Sequence, residues 1–308
     1  MRFDVPASAG PLVTLARGDM ALAVAPACGA RIASFTMRGL DILRPASASG
    51  LRSGRCYEFA GFPLLPYSGP VFGGGFRFNG EFFPLGRTVP EEPTATHGEA
   101  WIRPWQTVVQ DADRLVLRMD HHPADGEFPF AFRGEITFAL HDDGLSIGII
   151  LSCRDHRPMP VGIGFHPYFP KSPGTMMHFD ATGLWPPDSE ESVGLSCGPL
   201  LPGLDFTQPR DVSAMVLDRC YEGWGGKAEL AYADGRRVAI AADGALRKLQ
   251  IYDAWDYPYI CIEPVSNAND GFNRLALGAP CHGVHVLEPA QSLRGTVLIK
   301  PAGCYSDG

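Results

Sequence analysis

Alternation of apolar and polar residues around tight turns recurs from one end of this chain to the other, and it leaves few folds open. Glu135–Ser152 is the clearest instance: Ile136, Phe138 and Leu140 lead into Asp142-Asp143-Gly144, and Leu145, Ile147, Ile149 and Leu151 lead out. A period of two on both sides of a turn reads as an antiparallel hairpin with one buried face. Lys227–Ala242 repeats the pattern around Asp234-Gly235, and Arg77–Leu85 repeats it around Asn79-Gly80, a strong hairpin turn. Leu12–Ala25 suits a first strand, Ala30–Leu43 reads as a strand pair turning at Gly39, and Leu115–Met119, Leu249–Ile262, Val284–Leu287 and Thr296–Ile299 read as further strands. No apolar stripe of helical period runs beyond about two turns. The 36 glycines and 28 prolines both disfavour helix interiors, which agrees with many short strands. The expectation is an all-β chain: one large antiparallel β-sandwich, a single domain over residues 1–308.

Between the strands, the run from Arg44-Pro45 to Gly54 reads as a loop. Phe62–Phe76 carries too many prolines and glycines for a helix or a good central strand, and reads as a rigid loop of the kind that lines sites. Gly73-Gly74-Gly75 is a poor phosphate cradle, because strand and turn follow it instead of a helix N-terminus. His121-His122 reads as a solvent-facing turn, and His282 and His285 as a weak metal lookalike. The cysteines at 28, 56, 153, 197, 220, 261, 281 and 304 form no C-x-x-C pair, so neither a metal nor a redox motif is expected. With 26 basic against 34 acidic residues and no basic stripe, nucleic acid is not the expected partner. No apolar run approaches the ~18 residues of a membrane span, and the N-terminus lacks a signal-like core. A cytoplasmic protein, monomer or homodimer, is expected.

The residues with chemistry to offer are few. Pro160–Pro170 is apolar apart from His166, which a following proline biases toward an extended conformation. A neutral-range titrating group on such a segment is a candidate proton carrier; a structural histidine at a strand end is the alternative. Glu263 ends the apolar run Tyr259–Ile262, where desolvation would raise its pKa; a surface glutamate is its alternative. Asp218 follows an apolar pair, and such an acid is more often a turn residue than a ligand. His97 sits beside glycine and near Trp101 and Trp105, the composition of an aromatic-walled sugar pocket or of a loop flanking a core. An acid and a base on either side of a substrate can open a cyclic hemiacetal without a cofactor; Glu263 with Asp218 would instead supply the carboxylate pair of a glycoside hydrolase.

Four segments in this order resemble the aldose 1-epimerase (galactose mutarotase-like) family: Phe62–Gly80, Thr96–Trp105, Gly162–Phe169 and Tyr259–Asn273, with a shorter fifth match at Val216–Tyr221. The resemblance implies a galactose mutarotase-like supersandwich and interconversion of the α and β anomers of a free monosaccharide. It implies His166 as catalytic acid and Glu263 as base, and His97 and Asp218 as substrate-binding residues, with Tyr168 and Trp101 as candidate pocket walls. No cofactor and no metal are expected. The family's proline-rich loop usually reads S-N-R-I; here it reads Ser68-Gly69-Pro70-Val71 and lacks that arginine, with Arg77 a candidate replacement. A sugar-phosphate epimerase of the same fold and a non-catalytic carbohydrate-binding protein are the other readings.

Overall fold

The alternating hairpins assemble into two large antiparallel sheets, packed face to face. They are seen in a computed structural model that describes residues 8–124, 126–192, 195–253 and 257–303. One sheet runs, in spatial order, Val13–Arg17, Met20–Ala25, Arg31–Met37, Gly61–Leu64, Gly164–Pro170, Tyr259–Val265, Lys248–Asp253, Leu217–Glu222 and Gly183–Leu184. The other runs Gln106–Gln110, Arg114–His121, Phe132–His141, Gly144–Cys153, Ser292–Gly303, Arg236–Gly244, Lys227–Ala231, Met176–Phe179 and Arg210–Asp211. Between the sheets, Phe165, Ile251 and Ile262 of the first join Ile136, Phe138, Ile147, Ile149, Val297 and Ile299 of the second in one core. The expected hairpins at Asp142, Asn79 and Asp234 all form. At the second of these, Asn79 and Gly80 both have positive φ (50° and 84°), as a primed hairpin turn requires.

Four local expectations are corrected. Leu12–Ala25 is two strands turned at Gly18-Asp19, not one. The stretch read as a loop up to Gly54 contains a short helix, Ala48–Ser53; Ser47 Oγ caps it by accepting from the Gly50 N–H (2.8 Å), and Gly54 ends it at φ 67°. Gly61–Leu64 is an interior strand despite Pro63. Its pairing to Arg31–Met37 is confined to Ile32↔Gly61, so beyond Gly61 it has a ladder partner on one side only, an edge-like condition that proline tolerates. His121 is buried against the Phe132 ring with Nε2 2.8 Å from the Phe128 carbonyl oxygen, and only His122 faces solvent. The Leu249–Ile262 stretch resolves into Lys248–Asp253 and Tyr259–Val265, and residues 254–256 lie outside the described residues.

Side chains that alternate with the core-facing set on the first sheet point the other way. Phe62, Leu64, Tyr168, Tyr259, Cys261 and Val265 form a second apolar cluster with Trp101 and Ile102. Loops cover this outer face, which is why Tyr259–Val265 is buried at every position. The covering is incomplete, and a cleft opens through it.

Candidate active site

The cleft has a volume of about 490 Å³, within the ordinary range for small-molecule sites. Its floor is the pair of strands Gly164–Pro170 and Tyr259–Val265. Gly164↔Val265 and Tyr168↔Cys261 are paired in register, and continuing that register puts His166 opposite Glu263. Directly opposite residues on one face of an antiparallel pair lie within side-chain reach, and His166 Nε2 is 3.3 Å from Glu263 Oε1. A proline follows each of them, Pro167 and Pro264, so the central sheet gives up two ladder donors beside this pair. His166 therefore lies inside a strand, not at its end. The two groups also touch, so the expected substrate seat between a separated acid and base is replaced by an adjacent pair on one floor.

His166 and Glu263 are 5% and 2% exposed, and that burial governs their protonation. Desolvation holds the imidazole well below its ordinary range, with His97 and Arg44 adding to the effect. Desolvation likewise holds the Glu263 carboxyl well above its range, and Asp218 and Asp188 push the same way. Both groups are thereby biased to their neutral forms. The Tyr168 ring stacks on the imidazole at 4.7 Å between centroids and the Phe62 ring tilts against it at 4.6 Å, and together they restrict its orientation.

His97 enters from the loop that pairs with Pro70-Val71. Its Nδ1 accepts the Gly69 N–H at 3.0 Å, so the ring proton sits on Nε2, and burial lowers its pKa to about 3. His97 is thus a fixed neutral donor at the cleft wall, 5.5 Å from the His166 ring. Trp101 is not a wall. It is fully buried behind the cleft, stacked on Phe62 (4.9 Å) and edge-on to His97 (5.6 Å), with Nε1 donating to the Gly98 carbonyl oxygen at 2.8 Å. Tyr168 does line the cleft. Arg77 does not; its guanidinium lies over the Phe82 ring outside it, and Pro70 itself lines the wall where an arginine was missed.

Asp218 is on the strand Leu217–Glu222 and lines the cleft, with burial raising its pKa. It anchors a polar wall that the sequence reading did not find. Gln250 Nε2 donates to Asp218 Oδ1 at 2.6 Å, Asn269 Nδ2 donates to Gln250 Oε1 at 3.3 Å, and Asn269 Nδ2 also donates to Asp188 Oδ2 at 2.5 Å. Burial and then the Asp218 charge bring the Asp188 carboxyl up to about 7. One signal was available: Gln250 and Tyr252 alternate with the core residues Leu249 and Ile251, so a glutamine faces the same side as Glu263. Glu92 and Tyr57 complete the acidic, aromatic lining, and no Lys or Arg is among the described residues that line the cleft.

The profile of the aldose 1-epimerase family matches residues 11–300. The chain belongs to the aldose 1-epimerase family. The uncharacterized protein YphB of Escherichia coli (strain K12) is 28% identical over 276 residues, 85% of this chain and 90% of its own length. The uncharacterized YihR of the same organism is 21% identical over 272 residues, 86% of each chain. A crystal structure of a candidate aldose 1-epimerase from Escherichia coli K12 superposes with a TM-score of 0.85 at 25% identity, covering 96% of this chain and 99% of that one. A galactose mutarotase-like protein from Clostridium acetobutylicum gives a TM-score of 0.81 at 16% identity, covering 95% of each. The all-β galactose mutarotase-like fold expected from the sequence is the fold observed. In this member of the aldose 1-epimerase family, Pro70 and the carboxylate–amide group Asp188, Asp218, Gln250 and Asn269 line the cleft, with no arginine among the described residues that line it.

Proposed function

We propose that this protein interconverts the anomers of an uncharged free monosaccharide, with His166 and Glu263 moving the two protons that ring opening requires. The observation that carries the reading is the direct facing of these two side chains on the floor of a sugar-sized cleft. The two oxygens that exchange protons in ring opening, the ring oxygen and the anomeric hydroxyl, are bonded to one carbon. An adjacent acid and base therefore suit the reaction better than a pair on opposite sides. Passage of the shared proton from Glu263 to His166 turns the resting neutral pair into imidazolium and carboxylate. His166 then protonates the ring oxygen while Glu263 takes the anomeric proton, and the roles reverse for closure after rotation about C1–C2. His97 Nε2–H is a donor toward the ring oxygen side, and Asp218 is an acceptor for sugar hydroxyls. No cofactor takes part in these steps.

The lining argues against the sugar-phosphate reading, since the acidic side chains Glu92 and Asp218 line the cleft and no Lys or Arg among the described residues lines it to receive a phosphate. The test is exchange NMR or polarimetry on a panel of free aldoses. Faster anomer equilibration of at least one, lost in His166→Ala and in Glu263→Gln, supports the proposal. No acceleration across hexoses and pentoses, with binding still seen by calorimetry, would favour the carbohydrate-binding reading instead.

A further inference from the structure

Cys261 is a buried nucleophilic group beside the proton-transfer pair that the reaction above does not use. It lies two residues before Glu263 on the same strand, and strand alternation turns both side chains to the same face. With His166 opposite Glu263, three donor atoms of three kinds (a ring nitrogen, a thiol sulfur and a carboxylate oxygen) all lie within 4.8 Å of one another. Cys261, Glu263 and His166 are 0%, 2% and 5% exposed, and His166 Nδ1 has no hydrogen-bond partner among the described residues.

We infer that His166, Cys261 and Glu263 form an inhibitory site for a thiophilic divalent cation, Zn²⁺ in the first instance. Zinc takes Cys, His and carboxylate ligands at ~2.0–2.3 Å in a tetrahedron, so a contraction of roughly 1 Å from the present spread brings all three into range. His166 and Glu263 line the cleft, so a fourth, water ligand would come from that side. A thiolate and a carboxylate balance the two positive charges of the ion, so the complex buried beside the Phe62 and Tyr168 rings is neutral, as burial demands. The sulfur ligand selects Zn²⁺ over Mg²⁺ or Ca²⁺. Occupancy ties up the nitrogen and the oxygen that ring opening needs, so metal and turnover exclude each other. The strand geometry also explains why counting C-x-x-C pairs could not find the site: its ligands are i, i+2 on one strand and a cross-strand neighbour on the next.

The test titrates the metal-free 308-residue chain with Zn²⁺ by calorimetry, and with Co²⁺ by absorption, where a thiolate–cobalt charge-transfer band reports sulfur ligation. One site with that band is expected. Cys261→Ala, once circular dichroism shows it folded, should abolish the band and weaken Zn²⁺ binding at least tenfold, and Cys261→Ser serves if the alanine variant unfolds. Retention of the same affinity and band in either folded variant, or absence of binding in the wild type, overturns the inference. The inhibition arm rests on the proposed anomer exchange: Zn²⁺ should stop it, chelator should restore it, and Cys261→Ala should exchange at the wild-type rate but resist Zn²⁺. If no sugar is turned over, the binding arm still decides the metal site.

Discussion

His166 and Glu263 face each other across the paired strands Gly164–Pro170 and Tyr259–Val265 of the first sheet, imidazole Nε2 to carboxyl Oε1 at 3.3 Å, because the register that pairs Gly164 with Val265 sets them opposite one another. A shift of one residue in either strand would send one of them into the core between the sheets. The pair is built by register rather than by a loop, so removing one side chain should leave the scaffold intact. His166→Ala and Glu263→Gln should each lower the anomer-exchange rate by about 10²–10⁴-fold, the usual contribution of a positioned acid or base. Circular dichroism should show both variants folded. A folded variant that keeps more than a tenth of the wild-type rate would remove that residue from the mechanism.

Gln250 offers a way to separate binding from chemistry. It is 7% exposed and links Asp218 to Asn269, and through Asn269 to Asp188. Gln250→Leu keeps the volume and deletes both hydrogen bonds, so Asp218 and Asn269 lose their fixed orientations. Net hydrogen-bond losses of ~1–1.5 kcal/mol correspond to about tenfold in affinity. Initial rates over a range of sugar concentrations should show KM raised by about that factor with kcat nearly unchanged. A fall in kcat at constant KM would instead tie the wall to the proton transfers.

Gly69 makes the same wall depend on backbone. Its φ is 75°, its N–H holds His97, and a Cβ there would collide with Asn269 Oδ1. Gly69→Ala thus imposes a left-handed backbone on an L-residue and displaces a side chain of the polar wall. A loss of about 1–3 kcal/mol in unfolding free energy by urea titration is expected, together with a higher KM, because His97 and Asn269 both move. Wild-type stability and KM in this variant would mean that the loop relaxes freely and that Pro70 and its neighbours do not shape the site.

How far the sequence already disclosed this arrangement depends on whether the information is local. The Asp142 and Asn79 hairpins are written in adjacent residues, as alternation and turn chemistry, and both were legible. His166, Glu263 and His97 were legible as reactive groups on apolar or aromatic segments, and their sharing of one cleft followed from the family resemblance. Their contact distance was not legible, since it depends on pairing strands about a hundred residues apart. Gln250 and Asn269 were passed over because an amide carries no titratable signal, and their role exists only in the hydrogen bonds they make. Trp101 was placed on the wrong side of the wall: an indole near a glycine-histidine turn looks the same in sequence whether it meets the ligand or supports the residue that does. The Ser47-capped helix was hidden by its Ala/Ser/Gly composition, although its cap and its terminal glycine were both present.

Glu99 lies two residues beyond His97 and ties the stability of the site's wall to pH. It is 4% exposed; Oε1 accepts the Phe128 N–H at 2.8 Å, while Oε2 has no partner among the described residues. Burial, the largest influence, brings its carboxyl up to about 7 from the ordinary 4.5. In the unfolded chain the proton leaves near 4.5, so between the two values the folded state binds more protons. The corresponding stability is fully present below about 4.5 and is lost as pH rises through about 7. Glu99→Gln keeps an acceptor for the Phe128 N–H and does not titrate. The wild type should therefore lose stability relative to this variant between pH 5 and pH 8, by on the order of 2–3 kcal/mol, read as a difference in Tm that widens with pH by several degrees. A difference independent of pH would mean that water reaches Glu99 in the folded protein and that its carboxyl titrates near the ordinary value.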